Sequence, residues 1–301
     1  MNRLLFLFLD GVGLGEPDPA LNPFVAGATP FLDDLLAGRL TSELAERDDR
    51  AVVRRLDATL GFPGLPQSAT GQASLLTGRN CAEVMGGHYG PWPGPTLRRL
   101  LEEGSLFSDA LAGGGSVRLA NAYPPGYFTA LEGRRARTNV PVHAARAAGL
   151  MLPDLEAYRQ GQGIAADLTG AHFASVDPVL PVYTPEASGD RLAVLASSAN
   201  LTFFDFWLSD RVGHRGTLAD AVELVEGLDR FIAGAVGALD GVTMVVTSDH
   251  GNLEDKSTRG HTRSPVPLVV LGPGRDAFAE CTTLLDVAPA VRRLLAETSA
   301  R

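Results

Sequence analysis

The chain has 301 residues, of which 45% are hydrophobic and 20% charged, with a formal net charge of -9. This length suits one large α/β domain, or one domain that carries a smaller inserted one. The acidic balance argues against a nucleic-acid-binding protein, which would carry a basic surface. It allows an anionic substrate, because a bound metal can supply local positive charge. The two cysteines, Cys81 and Cys281, are too far apart for a cysteine metal knuckle.

The first predicted element is a buried strand over residues 4–9, which ends at Asp10. This apolar run is too short for a transmembrane helix, and no small-residue cleavage site follows it. We therefore expect a cytoplasmic enzyme without a membrane partner. Gly11 and Gly13 let the backbone turn closely after the strand. Asp10 is then either a turn residue or a ligand at a strand end.

A helix is predicted from Thr29, and a second strand within residues 52–60. After a loop rich in glycine and proline, Ser68 lies at or just before the start of another helix, which ends at Gly78. The N-terminus of a helix stabilises a phosphate or an alkoxide. The alternative is that Ser68 or Thr70 only caps this helix.

Residues 81–199 differ from the rest of the chain in composition, and their sequence predicts aromatic and proline-rich loops between short helices. We predict a small inserted cap here, and a discontinuous catalytic core made of residues 1–80 and 200–301. The cap carries Arg134, Arg135 and Arg137, which either contact a substrate phosphate or form a solvated face.

The core resumes with a strand over 201–207, a long amphipathic helix over 217–239 and a strand over 242–248. In open α/β sheets, chemistry is located just past the carboxyl ends of the strands. Three aspartates and three histidines lie at such positions: Asp10, Asp210, Asp249, His214, His250 and His261. Mixed aspartate and histidine ligands favour Zn²⁺ or Mn²⁺ over Ca²⁺ or Mg²⁺ alone. With Ser68 they suffice for two ions, the usual clamp for phosphoryl transfer.

This arrangement resembles the alkaline phosphatase superfamily, and within it the branch of cofactor-independent phosphoglycerate mutase and phosphopentomutase. Five segments carry the resemblance, in the family's order, and they lie within residues 1–80 and 200–301. They are Asp10-Gly-Val-Gly13, Ser68-x-x-Gly71 running to Thr77-Gly-Arg79, Asp210-x-x-Gly-His214, Asp249-His-Gly-Asn252 and His261-Thr-x-x-Pro-Val-Pro267.

The resemblance implies a three-layer α/β/α sandwich with a mostly parallel central sheet. It implies two divalent metal ions, Mn²⁺ or Zn²⁺. One ion would be held by Asp210, His214 and His261, and the other by Asp10, Ser68, Asp249 and His250. Ser68 would be the nucleophile that takes a phosphoryl group from a small phosphorylated substrate. The resulting phosphoserine would pass the group to water, as in a phosphatase, or to a substrate hydroxyl, as in a mutase.

The sequence also departs from this pattern. Gln72 stands where the mutases have histidine, and their substrate-binding arginines and lysines have no match in residues 80–200. Arg263 and His88 are further candidates for substrate contact. A sulfatase is a weaker alternative, because the nucleophile segment lacks that family's Pro and Arg. A catalytically silent metal-binding protein stays open, whereas a Ser-His-Asp esterase would need a Gly-x-Ser-x-Gly elbow, which this sequence lacks.

Overall fold

The computed structural model describes residues 2–133 and 137–297. These residues form a six-stranded sheet with the order β2-β6-β5-β1-β4-β3. The strands are β1 (Arg3–Leu9), β2 (Val52–Leu56), β3 (Val117–Leu119), β4 (Leu201–Phe206), β5 (Val242–Ser248) and β6 (Val266–Leu271). The neighbours β5, β1, β4 and β3 pair in parallel, whereas β6 runs antiparallel to β5 and β2. The predicted α/β class with a mostly parallel central sheet is therefore confirmed.

Helices cover both faces of the sheet. They are α1 (Pro23–Ala26), α2 (Pro30–Leu36), α3 (Ser68–Thr77), α4 (Cys81–Met85), α5 (Pro95–Glu103), α6 (Leu106–Ala112), α7 (Pro125–Glu132), α8 (Val140–Ala147), α9 (Leu155–Arg159), α10 (Ala171–Val176), α11 (Pro185–Ser197), α12 (Leu208–Arg215), α13 (Leu218–Ala238), α14 (Leu284–Ala296) and a 3₁₀ helix, Arg275–Phe278. Successive side chains of a strand point to opposite faces. Phe6 and Phe8 therefore pack with α3, α5 and α14, while Leu5 and Leu7 pack with α11 and α13.

Two long helices of the C-terminal half, α13 and α14, begin at capping boxes. Thr217 and Asp220 exchange side-chain and backbone hydrogen bonds at the start of α13. Thr283 and Asp286 do the same at the start of α14. These bonds satisfy N–H groups that lack partners within the helix. The caps fix the residue at which each helix begins. At its other end, α13 is followed by β5.

Residues 81–199 do not all lie apart from the sheet. Strand β3 extends the sheet beside β4, and Leu97, Phe107 and Val142 share a core with Phe6 and Phe8. A separate small cluster contains Ala122, Tyr158, Ala165, Phe173 and Leu180. The division into core and cap therefore remains a prediction. Among the described helices, none combines the length and apolar character that crossing a membrane requires.

Three central strands deliver the predicted ligands to one edge of the sheet. Leu9 is paired with Phe206 on one side and Ser248 on the other, so β1, β4 and β5 end level with one another. Asp10 follows β1, and Asp249 follows β5. Helix α12 begins two residues after β4. Parallel pairing thus gathers residues that are far apart in the chain.

Candidate metal centre

The first group of ligands is built on α12. Asp210 and His214 are four residues apart on this helix and therefore share a face. His214 Nε2 lies 3.3 Å from Asp210 Oδ1. His261 completes the group, with its Nε2 3.1 Å from His214 Nε2 and 3.6 Å from Asp210 Oδ1. These three side chains form a cluster that could hold one metal ion.

The second group surrounds His250, whose side chain is fully buried. Its Nε2 lies 2.9 Å from Ser68 Oγ, 3.4 Å from Asp10 Oδ1 and 3.5 Å from Asp249 Oδ2. Ser68 is the first residue of α3, which brings its hydroxyl to this position. Asp10 and His250 also form a metal-compatible cluster with Asp210. The Asp210 carboxylate therefore lies near both groups.

The donor set fits divalent cations. Ligand atoms bound at about 2.0–2.2 Å from one ion lie roughly 3–3.5 Å apart, and the separations above run from 2.9 to 3.6 Å. Asp10 Oδ1 and Asp210 Oδ1 are buried and find no hydrogen-bond donor among the described residues. Leaving a carboxylate oxygen buried without a partner is costly, and a cation removes that cost.

Backbone carbonyls orient the three imidazoles. His214 Nδ1 lies 2.5 Å from Arg259 O, His261 Nδ1 2.7 Å from Pro66 O, and His250 Nδ1 3.3 Å from Gly251 O. A ring nitrogen that donates to a carbonyl leaves the other nitrogen with a free lone pair. All three Nε2 atoms are then available as ligands.

The pKa shifts of the site residues are those of a site suited to cations. Burial raises the pKa of the Asp10 carboxyl well above its usual range, and the nearby Asp249 raises it further. Burial likewise raises the pKa of Asp249 to about 7. Burial, and then the neighbouring His250, lower the pKa of His261 to about 4. The neutral imidazole of His261 thus lies near two carboxyl groups, those of Asp10 and Asp249, that burial makes hard to ionise. At His214 the hydrogen bond to Asp210 instead raises the imidazole pKa.

Gln72 links two of these carboxylates. Its Nε2 donates to Asp10 Oδ2 at 3.1 Å and to Asp249 Oδ2 at 3.0 Å. The side chain of Gln72 is buried, on the second turn of α3. Gln72 therefore holds one oxygen of each acid.

Glu254 is a buried residue that connects the loops of the centre. It accepts hydrogen bonds from Gly13 N at 2.9 Å, from Asn252 N at 2.8 Å and from the Thr262 hydroxyl. A Cβ atom at Gly13 would lie 2.5 Å from Glu254 Oε1, so the close approach requires glycine. Glu254 thereby ties together the loops that carry Asp10, His250 and His261.

A cavity of about 940 Å³ opens onto the centre. Asp10, Ser68, Gln72, Asp210 and His214 are among its lining residues. The remaining lining includes side chains that the sequence analysis had not singled out: Trp92, Tyr123, Tyr127, Phe173, Trp207, Arg211 and Arg215. Apart from Arg211, which lies within the Asp210–His214 segment, these residues lie outside the five segments that carry the resemblance.

The predicted substrate-binding residues are not all brought to this cavity. Arg137 lines it, whereas Arg134 and Arg135 lie outside the described residues. Arg263 donates to Gly64 O at 2.9 Å and, like His88, is not among the described residues that line the cavity. Arg137 therefore lies at the cavity. Arg263 and His88 lie beside the loop around Gly64.

The fold is similar to that of alkaline phosphatases and of a phosphoglycerate mutase. The chain resembles the PH0037 protein of Pyrococcus horikoshii, with a TM-score of 0.61 and 16% identity over 100% of this chain and 98% of that one. It also resembles the alkaline phosphatase of the Antarctic bacterium TAB5, with a TM-score of 0.55 and 11% identity over 98% and 99%. For the Leishmania mexicana phosphoglycerate mutase the TM-score is 0.51, with 13% identity over 99% and 96%.

Sequence comparison matches part of the chain to a family. The model of the Metalloenzyme superfamily matches residues 188–296. A 2,3-bisphosphoglycerate-independent phosphoglycerate mutase of Cereibacter sphaeroides is 33% identical over 120 residues, which are 37% of this chain and 24% of that protein. The Pseudomonas putida protein of the same name is 40% identical over 95 residues, or 29% and 19%. The chain spans about a quarter or less of the length of these relatives.

Residues 188–296 therefore match the Metalloenzyme superfamily, and the predicted resemblance to the alkaline phosphatase superfamily is confirmed. The family implies divalent metal ions, and the clusters described above supply residues that can hold them. The matched segment contains Asp210, His214, Asp249, His250 and His261. Asp10 and Ser68 lie outside it, and the tertiary structure brings them to the same centre.

Proposed function

We propose that this protein is a two-metal phosphoryl-transfer enzyme that acts on a phosphate ester through a phosphoserine at Ser68. One observation carries the proposal. Ser68 Oγ lies 2.9 Å from His250 Nε2, at the start of a helix and at the edge of a cavity that also exposes Asp10 and Asp210. A hydroxyl at a helix N-terminus, beside a cluster of metal-compatible side chains, is suited to attack phosphorus.

Two ions, Mn²⁺ or Zn²⁺, would occupy the centre. Asp210, His214 and His261 would hold one of them. The other would be held by Asp10, Ser68, Asp249 and His250. When bound, such ions neutralise the charge of the transferring phosphoryl group and favour ionisation of the serine hydroxyl.

The residues of the chain position the reaction. The Ser68 hydroxyl gives up its proton to solvent, and Oγ forms a bond to phosphorus while the ester P–O bond breaks. The departing alkoxide takes a proton from water. The dipole of α3 favours the negative charge of the phosphoserine at its first residue. Water then attacks phosphorus, releases inorganic phosphate and restores the Ser68 hydroxyl. In a mutase, a second hydroxyl of the bound substrate would accept the phosphoryl group instead.

The test is phosphate release by the purified protein with Mn²⁺ or Zn²⁺ across a panel of phosphate monoesters and diesters. Ser68→Ala should lower the rate by at least about a thousandfold, since removal of a catalytic nucleophile costs several orders of magnitude. Ser74→Ala is the matched control. Ser74 lies on the same helix but contacts Cys81 N at 3.1 Å, away from the centre.

Phosphate release that persists in Ser68→Ala would contradict the serine nucleophile. The mutase alternative is favoured by the names of the relatives, and it predicts a different pattern: trapped phosphoserine at Ser68 and an isomerised ester, with little free phosphate. Mass spectrometry of the quenched protein separates these outcomes. Bound metal with neither phosphate release nor phosphoserine would favour a catalytically silent metal-binding protein.

A further inference from the structure

Much of the cavity wall is aromatic. Trp92, Tyr123, Tyr127, Phe173 and Trp207 all line it. The rings of Tyr123 and Tyr127 stack with centroids 4.4 Å apart and planes inclined by 20°. The side chain of Trp92 is 40% exposed. Aromatic faces open to a cavity provide a large apolar surface for a flat ligand to cover.

The cavity is also much larger than a phosphate group bound at Ser68 would need. Small-molecule sites span about 300–1,000 Å³, and this cavity, at about 940 Å³, lies near the upper limit. A three-carbon phosphate ester would fill a small part of it and leave the aromatic side chains in contact with water. The shape therefore favours a substrate whose alcohol part is much larger than glycerate.

The charges on the lining suit such a ligand. Burial raises the pKa of the Tyr127 hydroxyl to about 12 and that of Tyr123 well above its usual range, so both phenols are neutral at physiological pH. They do not repel a phosphate ester. The cationic lining residues are Arg137, Arg211 and Arg215, and the last two lie one turn apart on α12.

We propose that the substrate is a phosphate ester whose alcohol part carries a flat aromatic group of nucleoside size, and that this group stacks on the Tyr123–Tyr127 pair. The inference rests on the proposed function only in placing the phosphate at Ser68. It separates this protein from enzymes that act on small polyol or glycerate phosphates. The aromatic group supplies binding, and the metal centre supplies the chemistry.

The experiment compares two ligands that share the same phosphate and the same sugar, adenosine 5′-monophosphate and ribose 5-phosphate. Affinities are measured by calorimetry on Ser68→Ala with excess Mn²⁺, after its metal content has been verified. We expect adenosine 5′-monophosphate to bind roughly 5- to 150-fold more tightly, the range that stacking one base on an aromatic side chain contributes.

A second pair of variants identifies the stacking surface. Tyr127→Ala in the same background should remove most of the difference between the two ligands, and Tyr127→Phe should keep it. Helix α7 has no fully buried residue among its eight, so Tyr127→Ala should fold. Equal affinities, or no binding of either ligand, would overturn the inference.

Turnover of both ligands by the unsubstituted protein is measured separately. Base-dependent binding without turnover or phosphoserine would support the inference and reject the proposed function. Turnover of both ligands at equal kcat/KM, with equal affinities, would support the proposed function and reject the inference.

Discussion

Gly213 lies at the point where α12 meets the loop after β5. A Cβ atom there would lie 1.3 Å from Asn252 Oδ1 and 2.5 Å from Asn252 Cγ. Asn252 in turn donates to Gly260 O at 3.0 Å, and its Nδ2 lies 3.4 Å from His214 Nδ1. The absence of a side chain at Gly213 therefore lets Asn252 reach a predicted metal ligand.

Gly213→Ala should destabilise the protein by at least about 1–3 kcal/mol, because overpacking forces neighbouring groups to shift, and should lower metal occupancy at His214. Gly227→Ala is the control, since a Cβ atom at this helical position meets nothing within 4 Å. That change should stabilise the fold by about 0.4–1 kcal/mol. Denaturant unfolding and metal analysis measure both effects, and equal behaviour of the two variants would contradict the packing argument.

Asp205 provides a pH prediction. It is buried on β4 and accepts a hydrogen bond from Asn139 Nδ2 at 2.6 Å. Burial raises its pKa to about 7, although the bond from Asn139 lowers it in part. The folded state then binds this proton more strongly than the unfolded state. Stability from this group is therefore greatest at low pH and falls as pH rises from about 4 to about 7.

Asp205→Asn should remove that dependence in the metal-free protein. Each pKa unit is worth about 1.4 kcal/mol, and about two units lie between pH 5 and the pKa of Asp205. Over that interval the free energy of unfolding should fall by about 3 kcal/mol more in the unsubstituted protein than in the variant. Denaturant unfolding at pH 5 and pH 7.5 measures the difference. The lowered pKa of His261 makes stability rise with pH, in the opposite direction, but it is present in both proteins and cancels in their difference. A gap between the two proteins that does not change with pH would reject the argument.

At the scale of elements, a single lysine holds α12 in place. Lys256, the only lysine of the chain, donates from Nζ to Val212 O at 2.9 Å and to Gly213 O at 2.6 Å. These carbonyls belong to the last turn of the helix, where a cation also complements the helix dipole. The helix carries both Asp210 and His214, so Lys256 acts on the centre through their position.

Lys256→Met keeps most of the side-chain stem but loses both bonds. We expect metal affinity to fall by about 10-fold or more, the range seen when residues that orient metal ligands are removed. Lys256→Arg keeps the positive charge, and its metal affinity should fall by less than that of Lys256→Met. Competition with a chelator measures the affinities, and a loss of less than twofold in Lys256→Met would show that α12 needs no such support.

Regular elements were more predictable than the cap. The predicted strand over 242–248 coincides with β5, because a continuous β-branched run in a buried parallel strand is a strong signal. The apolar run over 268–271 forms only part of β6, which begins at Val266 and contains Pro267, a residue typical of a strand boundary. Between β2 and β4, short helices alternate with loops, and their local patterns are too brief to determine how they pack.

For the whole molecule, metal removal should be the largest perturbation. Carboxylates of Asp10, Asp210 and Asp249 converge at the edge of the sheet, and cations relieve their repulsion. Metal at 100 times its dissociation constant should stabilise the fold by about 2.7 kcal/mol for each ion. Thermal unfolding with a chelator, and again after Mn²⁺ or Zn²⁺ is restored, measures this.

Metal analysis adds the stoichiometry. The proposed centre requires two ions per chain, and Asp210→Asn should reduce the content to one or fewer. An unchanged unfolding temperature in the presence of chelator, or full occupancy in Asp210→Asn, would contradict the proposed arrangement.

The sequence alone was sufficient for the fold class and the superfamily, because both depend on local signals: apolar strands, and short motifs that appear in a fixed order at their ends. It also proposed a ligand set, which the structure gathers at one edge of the sheet. The two hydrogen bonds that Gln72 donates and the aromatic cavity emerged only in three dimensions. These features depend on side chains from separate elements, and local sequence patterns do not encode the packing that brings such elements together.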